Sequence, residues 1–274
     1  MQRSSLLATL ALTSGCHVKP ESFLPADAAA HAEPRSEHLT GAARAFVVIG
    51  DERSFVWPAL LQTVLDAHAS KTGVYPVQNA SLPAATVRAW TASSPAELRT
   101  RLAPAAQTTS SKLPRTALCL VSLSGIGDER GPVKSEHDMV GGEMGANALE
   151  RLALELQQAG FERVVFATPF YTPEASNELA LERVAIQRLL ERGHAFIEAG
   201  PDVFDASRRY YPDAYGADRT ELNEFGQKLV AEEWYRWLAG PEAREEVVQE
   251  LYATAFDLER LSAARVLELR LPSP

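Results

Sequence analysis

From Ala45 onward, short apolar runs rich in β-branched residues alternate with longer stretches of helical period, and no other feature constrains the fold as much. "AFVVIG", residues 45–50, is too short for a helix and apolar throughout, the pattern of a strand covered on both faces. "SFVWPALLQTVLDAH" follows, with Trp57, Leu60, Leu61, Val64 and Leu65 at helical spacing and Pro58 suited only to the first turn. "GVYPVQNAS" reads as a second strand, pushed towards an edge by Pro76. "TALCLVSLSG" is a third. A helix then carries Leu149, Leu152, Ala153 and Leu156 on one stripe and ends at Gly160. "RVVFATP" is a fourth strand, followed by "NELALERVAIQRLLERG", a helix closed by Gly193, and "HAFIEAG", a weaker fifth strand. The last patterned helix is "ELNEFGQKLVAEEWYRWL", with Leu222, Phe225, Leu229 and Val230 inward. Residues 241–265 also read as helical, an added C-terminal piece.

This alternation predicts an α/β fold, a central parallel sheet of about five strands with helices on both faces. In such sheets ligands bind beyond the carboxyl ends of the strands, so the loops leaving each strand carry the functional reading. The 274 residues, 46% of them hydrophobic, suffice for one core of good size. A formal charge of −9 argues against an electrostatic grip on nucleic acid. No apolar run approaches the roughly 20 residues of a membrane-spanning helix. There is no internal repeat, no phosphate loop ending in Lys-Ser or Lys-Thr, and no zinc-spaced Cys/His set. "GGEMG", residues 141–145, reads as a hinge or loop before a helix.

The N-terminal "MQRSSLLATLALTSGC" has an early Arg3, an apolar stretch over 6–12 and small residues before Cys16. It resembles a bacterial lipoprotein signal, in which that cysteine becomes the lipidated first residue; an ordinary secretory signal cut nearby is the alternative. The resemblance implies a membrane partner through a lipid anchor at Cys16 and a place in the bacterial cell envelope. Residues 17–42, largely Ala, Pro, Glu and His without periodicity, read as a flexible tether. The expected organisation is a signal over 1–16, a tether over 17–42, a domain over 43–240 and a helical extension over 241–274. Cys119, inside an apolar run, reads as a buried inert thiol, and no disulfide framework is expected.

Four strand-end blocks carry a family resemblance across roughly 45–240. "VVIGDE" holds Gly50 and Asp51; "NASLPAAT" opens with Asn79; "LVSLSGIGDE" keeps Gly125 and Asp128; "DRTELNEFGQKL" has Asp218, Leu222, Asn223 and Gly226 in cadence. In order, these resemble the SGNH or GDSL hydrolases, an esterase and lipase family with a flavodoxin-like, three-layer α/β/α fold. The resemblance implies a serine nucleophile after the first strand, oxyanion donors from a glycine and an asparagine after the second and third, and an Asp-x-x-His before the last helix. This chain departs at each position. Glu52 stands in the serine's place, Ala84 in the glycine's, Gly127 in the asparagine's and Glu221 in the histidine's, while Asp218 keeps the aspartate's.

A serine hydroxyl is a weak nucleophile until a base takes its proton, and imidazole suits that task near neutral pH. Carboxylates occupy both places here. Loss of one oxyanion donor alone costs about 100- to 1000-fold in rate. The expected role is therefore ligand binding or assembly, with Asp51, Ala84, Gly125, Gly127 and Asp128 lining the cleft and a small-molecule, acyl or carbohydrate ligand. One alternative is an active esterase or acyl hydrolase using a remodelled site or Ser54, a residue that otherwise reads as the cap of the helix after it. The other builds on Glu52 and Glu221, expected to face one another. Like charges disfavour each other's ionisation, so the pair would share a proton, hold a divalent cation, or turn away to solvent or to Arg53, Arg208 or Arg219. No other cofactor is expected.

His68, His137 and His194 read as surface or loop residues, with His137 alone in a loop able to fold over the site. Trp90, Tyr210 and Tyr211 are candidates for a cleft lining, whereas Trp57 fits a core stripe. "RRYY", residues 208–211, reads as a loop or a rim for anionic or carbohydrate ligands.

Overall fold

The structure, a computed structural model, describes residues 38–39, 43–69, 74–91, 96, 98, 102, 113–121, 123, 139–173, 176–219 and 221–253. All of them belong to one compact unit. The strands are β1 (Ala45–Gly50), β2 (Val77–Asn79), β3 (Arg115–Leu120), β4 (Arg163–Phe166) and β5 (Ile197–Ala199). The helices are α1 (Trp57–Ala69), α2 (Val87–Thr91), α3 (Met139–Gln158), α4 (Ser176–Glu191), α5 (Val203–Arg209), α6 (Glu224–Ala239) and α7 (Glu245–Ala253).

Every strand pairing is parallel, in the order β2-β1-β3-β4-β5. Alternate residues of the central strands feed two separate cores, as the period of a strand requires. Phe46, Val48, Leu118, Leu120 and Val165 meet α1, α6 and α7 on one face. Val47, Ile49, Ala117, Cys119 and Val164 meet α2, α3 and α4 on the other. The fold is thus a three-layer α/β/α sandwich, with β2 on an edge as Pro76 foretells. Cys119 is fully buried, and burial pushes its thiol pKa up.

Helix ends follow local chemistry. α3 and α4 stop just before Gly160 and Gly193, whose φ values of 95° and 71° favour glycine. "GGEMG" is not a hinge: it lies inside α3. A Cβ on Gly142 would come within 2.8 Å of Val184, and one on Gly145 within 2.7 Å of the Ala185 Cβ. The glycines let α3 and α4 approach closely, a requirement set by another helix and invisible to local pattern.

Two residues of the segment expected to be a tether are held against the domain. His38 and Leu39 are buried. The His38 ring lies 4.5 Å from Trp237, its Nε2 is 3.0 Å from a Glu198 carboxylate oxygen, and the Tyr75 hydroxyl donates to the Leu39 carbonyl at 2.7 Å. Leu39 fills the α1–α6 core, so the chain is held before β1 begins. The rest of that segment, the signal and Cys16 lie outside the described residues. At the other end, Val247, Val248 and Leu251 of α7 close the same core, and residues after 253 also lie outside.

Candidate functional site

The strand order reverses direction between β1 and β3, the place where sheets of this kind take ligands. β1 ends at Gly50, and the chain turns through a single 3-10 turn, Glu52–Ser54. Asp51 organises that turn. Its Oδ1 accepts the Arg53 backbone N–H at 3.0 Å, and its carboxylate takes the Arg53 guanidinium in a fork, with Nε at 2.8 Å and Nη2 at 2.5 Å from Oδ2. Arg53 in turn lies over the Phe170 ring, 5.0 Å from its centre, in the segment leaving β4. Burial works most strongly against the Arg53 charge, but Asp51, Glu182 and Glu52 together outweigh it and hold the guanidinium above its ordinary pKa. Asp51 and Arg53 are thus satisfied by each other.

Glu52 has a different partner. It is exposed, and its Oε2 accepts the backbone N–H of Ala84 at 2.6 Å. Ala84 has φ +50°, a left-handed conformation that costs a residue with a Cβ and turns its amide towards the carboxylate. Asn79, the last residue of β2, ties the same two loops from below. Its side-chain amide donates to the Ser54 carbonyl at 2.6 Å, and its Oδ1 accepts the Ser81 N–H at 2.9 Å. The first and second blocks therefore meet through one side chain from each.

Ser54 does not cap α1. It is fully buried, its Oγ has no hydrogen-bond partner among the described residues, and a Cβ on Gly50 would stand 2.6 Å from that oxygen. The hydroxyl is turned into the protein against the β1 end, a position that no turn propensity predicts.

The fourth block is built around Asn223. Its Oδ1 accepts the Gly226 N–H at 3.0 Å to cap α6, and its Nδ2 donates to the Asp213 and Tyr215 carbonyls at 2.8 and 2.9 Å. α6 accordingly starts after Leu222, which pairs with Tyr215 in an isolated bridge. Asp218 and Glu221 are both exposed, and the Glu221 carbonyl accepts the Gly216 N–H at 2.9 Å. Among the described residues no hydrogen bond or ion pair joins Glu221 to Glu52, and no group of three His, Cys, Asp or Glu side chains could hold a metal ion. Gly125, Gly127 and Asp128, with His137, lie outside the described residues.

Two residues at the site carried no sequence signal. Phe170 supports Arg53, and Glu182 of α4, buried, accepts the Leu123 N–H at 2.8 Å where the chain leaves β3. Neither stands in a block. The remaining candidates sit elsewhere. Trp57 and Trp90 are fully enclosed in the two cores, so Trp90 lines no cleft. Tyr211 packs edge-on against Tyr171 and Tyr215, whereas Tyr210 is exposed beside Phe225. His194 pairs with Glu150 at 2.5 Å, and that contact, with Arg192, holds the Glu150 carboxyl below its ordinary pKa. His68, read as a surface residue, is buried against Tyr235.

No family model matches the sequence, and no curated protein matches it. The chain is similar to several solved structures. One is a family 3 carbohydrate esterase from Clostridium thermocellum, with TM-score 0.47 and 12% identity over 77% of this chain and 98% of that one. Another is a serine-to-alanine mutant of an acetyl esterase with an acetate ion, with TM-score 0.47 and 11% identity over 77% and 99%. A third is the lipase Lip_vut3 from a goat rumen metagenome, with TM-score 0.46 and 14% identity over 73% and 99%.

Proposed function

We propose that this chain is a cell-envelope lipoprotein whose SGNH-hydrolase-like domain lacks the family's serine esterase chemistry and acts by binding, in ligand capture or assembly. The observation that carries the reading is the 2.6 Å bond from the Ala84 amide to the Glu52 carboxylate. By the resemblance, one residue stands in the nucleophile's place and the other supplies an oxyanion donor. Here the donor is already taken by an anion of the protein itself. A carboxylate in that position accepts hydrogen bonds but has no proton for a base to remove. Ser54, the alternative nucleophile, is buried with its hydroxyl turned inward, and the described histidines are engaged at His38–Glu198, His68–Tyr235 and His194–Glu150. Glu52 keeps its second oxygen for a ligand that donates hydrogen bonds.

Labelling the purified protein with a fluorophosphonate serine probe, followed by mass spectrometry, tests this directly. Folded protein is expected to carry no adduct. A stoichiometric adduct on one serine, at Ser54 or elsewhere, would make it a working hydrolase and end the binding reading. The anchor is tested separately. In a bacterial host fed a palmitate analogue, the full chain should take up label and fractionate with membranes, and Cys16→Ser should do neither. Label retained by Cys16→Ser would move the lipid elsewhere, and an unlabelled parent would leave a plain secretory signal.

A further inference from the structure

His68, near the end of α1, is buried, and its Nδ1 lies 3.0 Å from the hydroxyl of Tyr235, a fully buried residue of α6. The same hydroxyl oxygen accepts the backbone N–H of Arg244 at 3.0 Å, one residue before α7. The Arg244 guanidinium closes the ring by donating to the Ala67 carbonyl at 2.7 Å, beside His68 on α1. Three elements thus meet at one phenol oxygen, and the segment that follows Gly240 is attached to the domain there. Below the junction, Val247, Val248 and Leu251 lay the apolar face of α7 on the core shared with α1 and α6.

Proton counting sets the state of this junction. With the Tyr235 oxygen accepting from Arg244 and no other described acceptor near its proton, that proton is assigned to His68, whose Nδ1 is then the lone-pair nitrogen. His68 is neutral, with its remaining proton on Nε2. Among the described residues that nitrogen is buried without a hydrogen-bond partner, as is Nε of Arg244. A second proton on His68 would turn Nδ1 from acceptor to donor. The Tyr235 oxygen would face two donors, its own proton would lose its acceptor, and a buried imidazolium would stand near Arg244. Among the described residues, the ionisable groups facing His68 are Tyr235 from α6, and Arg244 and Glu242 from the segment leading into α7. β2, also packed on α1, carries no ionisable residue.

We propose that this junction is a proton-operated clasp: protonation of His68 releases α7 from α1 and α6 and uncovers the apolar face it occupies. The electrostatics run in the same direction. Burial first, then Arg244, hold the imidazole below its ordinary value of 6.5, against the opposing pull of Glu242. A group whose pKa is lowered in the closed state binds fewer protons there than in the open state. The clasp is therefore stable above about pH 6.5, the value of a free imidazole, and weakens as pH falls through that point. One proton per opening makes the opening equilibrium rise by about tenfold per pH unit over that window.

The test is hydrogen exchange of the α7 amides in the full chain between pH 8 and 5, corrected for intrinsic exchange, alongside nuclear magnetic resonance titration of His68. Protection across α7 should fall at acid pH, with a midpoint matching the His68 titration, while the strands stay protected. His68→Asn keeps an acceptor for Tyr235 but takes no proton, and should abolish the pH dependence. Tyr235→Phe removes the shared oxygen and should leave α7 weakly protected at every pH. The proposal falls if α7 protection in the parent protein is flat over this range, if its midpoint differs from that of His68, or if His68→Asn keeps the parent's pH profile. The first two readouts need no variant to fold.

Discussion

Trp234→Ala is expected to lower stability by about 4 kcal/mol, measured as the shift in the midpoint of chemical unfolding at constant slope. Trp234 is fully buried on α6 and stacks on Trp57 of α1 with ring centres 5.7 Å apart and planes 10° from parallel. Truncation removes the transfer energy of an indole and leaves a cavity where two helices and the sheet converge, with too little freedom to collapse. In a domain of this size each kcal/mol moves the thermal midpoint by about 2–4 °C, so a drop on the order of 10 °C should accompany it. A loss under about 1 kcal/mol would mean that the stack is not a fixed part of the core.

Gly226→Ala should cost about 3 kcal/mol for a different reason, overpacking against backbone. A Cβ at this position would stand 2.2 Å from the Ala214 carbonyl oxygen and 2.9 Å from a Leu222 methyl. The backbone oxygen cannot swing away as a side chain can. Ala214 also accepts the Asn223 N–H, so moving it disturbs the cap of α6. Gly216→Ala is the matched control. Its Cβ would meet nothing closer than 3.5 Å, and the change should stay within about 0.5 kcal/mol. Equal effects of the two substitutions would show that the close approach at Gly226 is not real.

These two sites mark how far local pattern reaches. The helical stripe already places Trp57 inward, because periodicity acts within a few residues, but it also runs the last helix back to Glu221, whereas α6 starts at Glu224 behind the Asn223 cap. What Trp57 stacks on, and what crowds Gly226, depend on residues distant along the chain. "GGEMG" fails as a hinge for the same reason: its glycines answer to Val184 and Ala185 on a neighbouring helix. His68 looked like a helix-end surface residue because its burial comes from Tyr235, 167 positions away.

The site divides along the same line. By the resemblance to the SGNH hydrolases, the amino-acid identities put a carboxylate in the expected place of the serine and another in that of the histidine. They also suggested that the two carboxylates face each other. Among the described residues the partner of Glu52 is the Ala84 amide, and Glu221 is exposed on the loop before α6. The order of the five strands and their parallel pairing were legible in the sequence, since both follow from short-range periodicity, whereas the short helices α2 and α5 left no pattern to read. The partners of Glu52 and His68, the Ala84 amide and the Tyr235 hydroxyl, were decided only by tertiary structure. Each lies on a separate element, and only packing sets their distances to the few ångströms over which hydrogen bonds and charge act.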